Sequence, residues 1–245
     1  MVNKNTLTHP QVALQQLLPL SLKRGGKGVS RNNKSSHFFN YLNFKNKSMK
    51  TEKCPWCLGF EQYINYHDEE WGVPVLDDNK QFEFLVLESA QAGLSWSTIL
   101  KKRENYRQAF ANFNPKKVAQ FDSKKVEELL QNAGIIRNRA KIEAAINNAK
   151  VFLAIQKEHG SFAQFIWSFV NGKQVQNQWK TLKEVPATTA ISDELAKTMK
   201  KKGFKFLGST TLYAHIQAVG MVNDHLINCP RYAEIKKEFG NKQLI

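Results

Sequence analysis

The sequence is poor in cysteine and lacks long apolar runs, and each shortage narrows what the protein can be. Three cysteines in 245 residues make no disulfide framework; two of them lie in or near metal-ligand spacing, which predicts reduced thiols and a cytoplasmic protein. No apolar stretch approaches the roughly 18 residues that a membrane-spanning helix needs, so no membrane role is expected. No segment alternates apolar and polar residues convincingly at strand period, and no internal repeat is visible. Acidic residues are missing from residues 1–50 altogether, where nine Lys/Arg stand without an Asp or Glu.

That asymmetry divides the chain. The net charge is +15, and beyond residue 50 the balance is milder, 27 basic against 21 acidic residues. Both parts suit a polyanionic partner. Residues 1–48, rich in Lys, Ser, Asn and Gly, are too polar to bury a core and are expected to be a disordered basic extension ahead of Met49. Residues 49–240 are expected to fold as one domain, with 241–245 as a short tail.

The stretch from Cys54 to Trp96 carries residue types suited to a site rather than a core. It holds two of the three cysteines, His67, Tyr63, Tyr66 and three of the five tryptophans, Trp56, Trp71 and Trp96. Far downstream, His225 and Cys229 form an H-x3-C pair. Thiolates with imidazoles select zinc, and four protein ligands close a structural site rather than leave a catalytic position open. Spacing leaves two ligand sets open: Cys54, Cys57, His225 and Cys229, or Cys54, His67, His225 and Cys229. Either would tie the two ends of the folded part together.

From Lys80 onward the periodicity is helical, and the fold class it predicts is all-α. Phe82, Leu85, Val86 and Ser89 share a face up to Gly93, after which Ser95 caps a second helix through Trp96, Ile99 and Leu100. Glu88 closes the apolar run FLVL, where a helical carboxylate is ordinarily solvated; if buried, it would need a cationic ligand. The junction lets Glu88 and Trp96 converge on one pocket, and the clustered Trp56, Trp71, Tyr63 and Tyr66 would make that pocket a receptor for a flat cation.

Helices are also expected from Asp122 or Ser123 to Asn132, through Ile142 and Leu153, over SFAQFIWSFV, from Ser192 to Gly203, and over Leu212–Val222. Between the first two of these, AGIIRNRAK turns at Gly134. Its second helix would open with free backbone N–H groups beside Arg137, Arg139 and Lys141, which together suit a phosphate.

From Lys53 to about Pro230 the chain resembles the DNA-3-methyladenine glycosylase I family, within the helix–hairpin–helix DNA glycosylase superfamily. The resemblance rests on YHDEEWGVP, LESAQAGLSW, ILKKRENYR, AGIIRNRAKI, WSFVNG, KKKGFKFLG and QAVGMVNDH. It implies a helix–hairpin–helix fold whose N- and C-terminal parts are joined by a structural zinc ion on Cys54, His67, His225 and Cys229, with Cys57 outside the set. It also implies that Glu88, Tyr66 and Trp96 work on the base, with Trp56 and Trp71 nearby; the clustering of aromatics adds Tyr63 to the substrate-binding residues. The hairpin residues Gly134, Arg137, Arg139 and Lys141 would grip the DNA backbone.

The expected enzyme is a monomer of the bacterial cytosol that excises 3-methyladenine from double-stranded DNA carrying alkylated bases. Methylation at N3 makes adenine cationic, so a carboxylate and an aromatic face both favour it over the normal base. No Asp lies between Asp122 and Asp193 to assist the sugar cation, and no Lys is assigned as a nucleophile. A monofunctional hydrolase that relies on a good leaving group is therefore expected. A non-enzymatic damage-binding module and a zinc hydrolase are the rival readings.

Overall fold

The fold is set by one helix that is buried nearly all the way round. The computed structural model describes residues 52–245, and the expectation for residues 1–48 lies outside the described residues. The helices are α1 (Glu61–Glu69), α2 (Asp78–Gln91), α3 (Trp96–Ala109), α4 (Pro115–Val118), α5 (Ser123–Gln131), α6 (Arg139–His159), α7 (Phe162–Trp167), α8 (Ala190–Lys201), α9 (Ser209–Ala218) and α10 (Pro230–Phe239). Helix α2 buries every residue from Gln81 to Gln91 and packs against α3, α6, α7 and α9. A helix covered on all sides has no solvent stripe, so its polar residues go into the interior with it.

Local chemistry explains most boundaries. Asp77 accepts from the Lys80 N–H at 2.8 Å and starts α2 two residues ahead of the expected Lys80; Ser95 caps α3 through Thr98 N at 3.3 Å. Asp122 caps α5 through Lys125 N at 2.8 Å, and Asn138 caps α6 through Lys141 N at 3.1 Å.

Two expectations need correction. Helix α8 begins ahead of Ser192: Thr189 caps it, and Ser192 returns a hydrogen bond to the Thr189 N–H at 2.8 Å, so a capping box takes the place of a serine start. Helix α9 ends at Ala218 rather than running on to Val222. Gly220 sits at φ 68°, where an added Cβ would meet Val73 backbone at 2.3 Å, and Val75 N donates to Val219 O at 3.0 Å, so a second chain segment crosses too closely for a helix. The described residues are otherwise mostly helical, in keeping with the all-α expectation, with one two-residue strand pair. Strands β1 (Val175–Gln176) and β2 (Val222–Asn223) pair in parallel, in the register Val175 to Val222.

Residues 241–245, expected as a tail, dock back on the turn at 171–172: Leu244 N donates to Gly172 O at 2.9 Å, and Gln243 Nε2 to Asn171 O at 3.0 Å.

An ion-pair cluster locks α1, α2 and α3 together. Arg103 makes two parallel bonds to Glu70, each 2.7 Å, and a third to Glu83 at 2.7 Å, while Lys80 and Arg107 complete the charge on Glu70 and Glu83. Burial alone would raise the Glu70 pKa, but the Arg103 hydrogen bonds overcome it and hold the carboxyl down at about 2. The cluster fixes α3, and with it Trp96, against the helices that carry Tyr66 and Glu88.

Candidate functional site

Two ends of the chain meet in a buried Cys/His group. Cys54 precedes the turn Pro55–Cys57, His67 lies on α1, and His225 and Cys229 lie between β2 and α10. One ligand atom from each lies within 4.8 Å of the others, and all four residues are buried. His225 Nδ1 stands 3.1 Å from His67 Nε2, 3.7 Å from Cys54 Sγ and 3.8 Å from Cys229 Sγ, and Cys229 Sγ lies 3.6 Å from His67 Nε2.

The outer ring nitrogens are held as metal-ligating imidazoles usually are. His67 Nδ1 meets Asp68 Oδ1 at 2.8 Å, His225 Nε2 meets the Trp71 carbonyl at 3.0 Å, and Lys53 pairs with Asp68. These residues could hold a metal ion. Cys57 donates its thiol to the Cys54 carbonyl at 3.1 Å and stays outside the four-atom group.

An aromatic layer runs from this group to the α2–α3 junction. Trp71 packs on His225 with ring centres 4.7 Å apart, and Trp56 lies 4.9 Å from Trp71, 5.2 Å from His67 and 5.2 Å from Tyr63. Tyr66 then bridges Trp56, at 6.4 Å, to Trp96, at 5.3 Å. Tyr66 and Trp96 thus meet as expected, whereas Trp56 and Trp71 brace the Cys/His group and Tyr63 packs against Trp56.

Glu88 overturns the solvated reading of its position. It is 3% exposed, and its Oε2 has no hydrogen-bond partner. Burial pushes its carboxyl well above the usual carboxylate range. Tyr66 is raised too, first by burial and then by the nearby Glu88 charge. The indole N–H of Trp96 is likewise buried and unpartnered. A buried carboxyl oxygen and a buried indole donor left unpartnered near one helix junction suit a ligand with a positive charge and polar edges.

The hairpin lies between α5 and α6. Gly134 has no room for a side chain, since a Cβ would meet Asn105 atoms at 2.9 Å, and its N–H is held by Asn132 Oδ1 at 2.8 Å. Ile136 N donates to the Tyr106 hydroxyl at 3.0 Å, tying the turn to α3. Arg137 and Arg139 are exposed, and Arg139 pairs with Glu127 at 2.7 Å. Lys141 behaves differently from the sequence expectation. Its ammonium donates to the carbonyls of Ala90 at 2.8 Å and Ala92 at 2.6 Å, inside the molecule rather than at the mouth of the turn, and burial lowers its pKa.

Sequence reasoning missed Arg103, Glu70 and Glu83, whose clamp is invisible without the fold, and Asp68, whose place beside His67 was a usable signal. It also passed over Gln91, which is fully buried with neither side-chain polar atom partnered.

Comparison with known proteins agrees with this geometry. The sequence pattern of the methyladenine glycosylase family matches residues 56–232. DNA-3-methyladenine glycosylase of Haemophilus influenzae is 51% identical over 180 residues, which cover 74% of this chain and 97% of that protein. DNA-3-methyladenine glycosylase 1 of Escherichia coli is 51% identical over 181 residues, again 74% and 97% of the two chains. A solved structure of 3-methyladenine DNA glycosylase I from Staphylococcus aureus, concerned with its recognition of 3-methyladenine, superposes with a TM-score of 0.71 at 40% identity, covering 74% of this chain and 96% of that one.

Proposed function

The chain belongs to the methyladenine glycosylase family, and we propose that it is a monofunctional DNA-3-methyladenine glycosylase, which extrudes 3-methyladenine from alkylated double-stranded DNA and hydrolyses its N-glycosidic bond in base excision repair. The observation that carries this reading is the buried, unpartnered carboxyl of Glu88. Ionising it without a partner is costly, and a cation beside it removes that cost. Adenine methylated at N3 is such a cation, whereas normal adenine is neutral and forfeits the attraction. The face of Trp96 and the ring of Tyr66 add quadrupole attraction for the same charge.

Catalysis follows from the difference between two states of the base. The methylated base is positive while attached and neutral once the bond has broken, so it is a good leaving group without protonation by the enzyme. Glu88 then has to hold and orient the base and exclude water from its face. The helix–hairpin–helix element at Gly134, with the exposed Arg137 and Arg139, is proposed to hold phosphates on either side of the extruded nucleotide. Lys141, the hairpin amine that reaches the α2–α3 turn, commits its ammonium to two carbonyls, so it offers no free amine to the sugar. Hydrolysis without strand cleavage is the expected outcome.

The metal suited to the Cys54, His67, His225 and Cys229 set is zinc. A tetrahedral ion at ~2.0–2.1 Å from nitrogen and ~2.3 Å from sulfur would space its ligand atoms by roughly 3.3–3.8 Å; four of the six pairs here lie at 3.1–3.8 Å and all lie within 4.8 Å. Once bound, it supplies a cross-link with no open position for substrate. Trp56 and Trp71 carry that rigidity toward Tyr66. The enzyme is expected to act as a monomer in the bacterial cytosol; among the described residues no helix is long and apolar enough to cross a membrane.

The test is chromatography of bases freed from methylated DNA by the wild type and by Glu88→Gln. Free 3-methyladenine from the wild type, and much less from the variant, is expected, with no nicked strand accumulating in step. A folded wild type that binds the DNA and releases no base would replace the enzyme reading with damage binding.

A further inference from the structure

Gln91 is the last residue of α2, one helical turn beyond Glu88, and its side chain is 0% exposed. Both of its amide atoms, Nε2 and Oε1, are buried without a partner. Native interiors rarely leave a whole primary amide unpaired, and such a group implies a water or ligand that the protein is built to receive. Its backbone, by contrast, is held firmly. The carbonyls on either side, Ala90 and Ala92, accept from Lys141 at 2.8 and 2.6 Å, and the Gln91 carbonyl accepts from Leu94 N at 2.6 Å. The side chain is therefore fixed in place and left chemically unused.

Its place at the end of α2, one turn nearer the α2–α3 turn, separates it from Glu88. Glu88 lies one turn further into α2, while Gln91 abuts the turn through Ala92, Gly93 and Leu94, where the chain comes back to the surface. Gly93 is exposed, and a side chain there would meet nothing within 4 Å. A base reaching down to Glu88 leaves its sugar at the level of this turn, because the sugar stays tied to phosphates outside. An uncharged amide also cannot answer the positive charge by which the base is selected.

We propose that Gln91 holds the water that attacks C1′ of the extruded nucleotide, a deepening that rests on the glycosylase reading above. Oε1 accepts one water hydrogen and aims an oxygen lone pair at C1′. The C1′–O bond forms as the C1′–N9 bond breaks; its electron pair goes to the cationic base, which leaves neutral. The proton released by the attacking water passes to solvent along waters at the open Gly93 turn, the first of them held by Nε2. This assigns to an amide on α2 a task for which the stretch between Asp122 and Asp193 offers no aspartate on α6.

The experiment measures single-turnover release of 3-methyladenine from methylated DNA by the wild type, Gln91→Leu and Gln91→Glu, alongside binding of free 3-methyladenine followed by tryptophan fluorescence. Gln91→Leu is expected to slow release about 100-fold, the order of loss when a reacting group is misplaced by about 1 Å, with base affinity unchanged within about twofold. Gln91→Glu, nearly isosteric, keeps an acceptor and covers the case in which the leucine variant fails to fold. Its release rate is expected to rise with pH as the new carboxyl ionises, whereas the wild type does not gain this dependence.

Added methanol gives a further readout that a packing defect would not move. Oriented water makes the wild type favour hydrolysis over methyl glycoside, and Gln91→Leu is expected to lose that preference. Equal release by wild type and Gln91→Leu, or a loss of base affinity that matches the loss of rate, overturns the proposal. The second result would make Gln91 a base-reading residue. Absence of release from the wild type overturns the glycosylase reading as well.

Discussion

Lys141 Nζ lies 2.6 Å from the carbonyl oxygen of Ala92, so the first turn of α6 grips the end of α2 directly. The hairpin proposed to meet the DNA backbone and the junction that carries Glu88 and Trp96 are thus one rigid piece. Lys141→Met keeps the apolar stem and removes the grip. Base release should fall about tenfold or more through misplacement of the α2–α3 turn, while the salt dependence of binding to undamaged DNA stays as it was. Arg137→Ala should do the reverse, lowering the salt slope by about 1 with little effect on release from bound substrate. Salt titrations and single-turnover rates on both variants decide it; a lower salt slope for Lys141→Met would return that residue to the phosphate contacts.

Glu88 should cost the fold stability in a defined pH range. Its folded-state pKa lies above the ordinary value of 4.5, so the unfolded chain ionises first and stability declines as pH rises from there. Glu88→Gln removes this decline. Its melting temperature should equal that of the wild type near pH 4 and exceed it increasingly above pH 5, by up to about 1.4 kcal/mol per pH unit, even as base release is lost. A variant less stable than the wild type at pH 8 would show that the carboxylate has a partner in the free protein.

Purified protein should carry one zinc per chain, measurable by metal analysis. Removing it with a strong chelator, or replacing a ligand with Cys229→Ser, should lower stability by more than about 2 kcal/mol and cut base release with it. Cys57→Ser should leave zinc content unchanged, since its thiol donates to the Cys54 carbonyl and lies outside the four-residue group. Metal content that falls in Cys57→Ser and holds in a His67 variant would reassign the ligands.

Acid should loosen the α1–α2–α3 clamp at low pH. The Glu70 carboxyl is held at about 2 against an ordinary 4.5, so the stabilisation from its pairing with Arg103 is complete above pH 4.5 and is lost as pH falls through about 2. Glu70→Gln should be less stable than the wild type at neutral pH, and the gap should close between pH 4.5 and 2. Denaturant melts across that range test this; a gap independent of pH would mean that packing, not charge, is what the substitution removes.

Much of the site was legible because its chemistry needs rare residue types at fixed positions. Cysteines and histidines announced a metal group, although spacing alone could not choose between His67 and Cys57, a choice that depends on which side chain faces inward from α1. Helix α2 was readable from Phe82, Leu85 and Val86, and the cap of α3 from Ser95, whereas the Asp77 cap of α2 was passed over. The burial of Glu88 was not, because a carboxylate ending an apolar run has the same sequence whether the next layer is water or α9. The commitment of Lys141 to Ala90 and Ala92 was hidden for the same reason: the hairpin motif gives the charge, and only the packing of α6 on α2 says what it meets. Helix α10 and strand β2 arise from contacts with distant segments, which local periodicity does not record.

The Cys/His group joins Cys54 to His225 across 171 residues of chain, and this bears on how the protein is made. Closing so long a loop carries a high entropic cost that only the finished chain can recover. During synthesis at ~5–20 residues per second, the first two ligands wait on the order of ten seconds or more for the last two. In that interval the hairpin, Glu88 and the aromatic wall already exist as sequence, yet Trp56 and Tyr66 have no fixed support from the far end. A nascent chain therefore should not attack DNA: competence should arrive in one step, when the final segment emerges and the proposed metal can draw both ends shut.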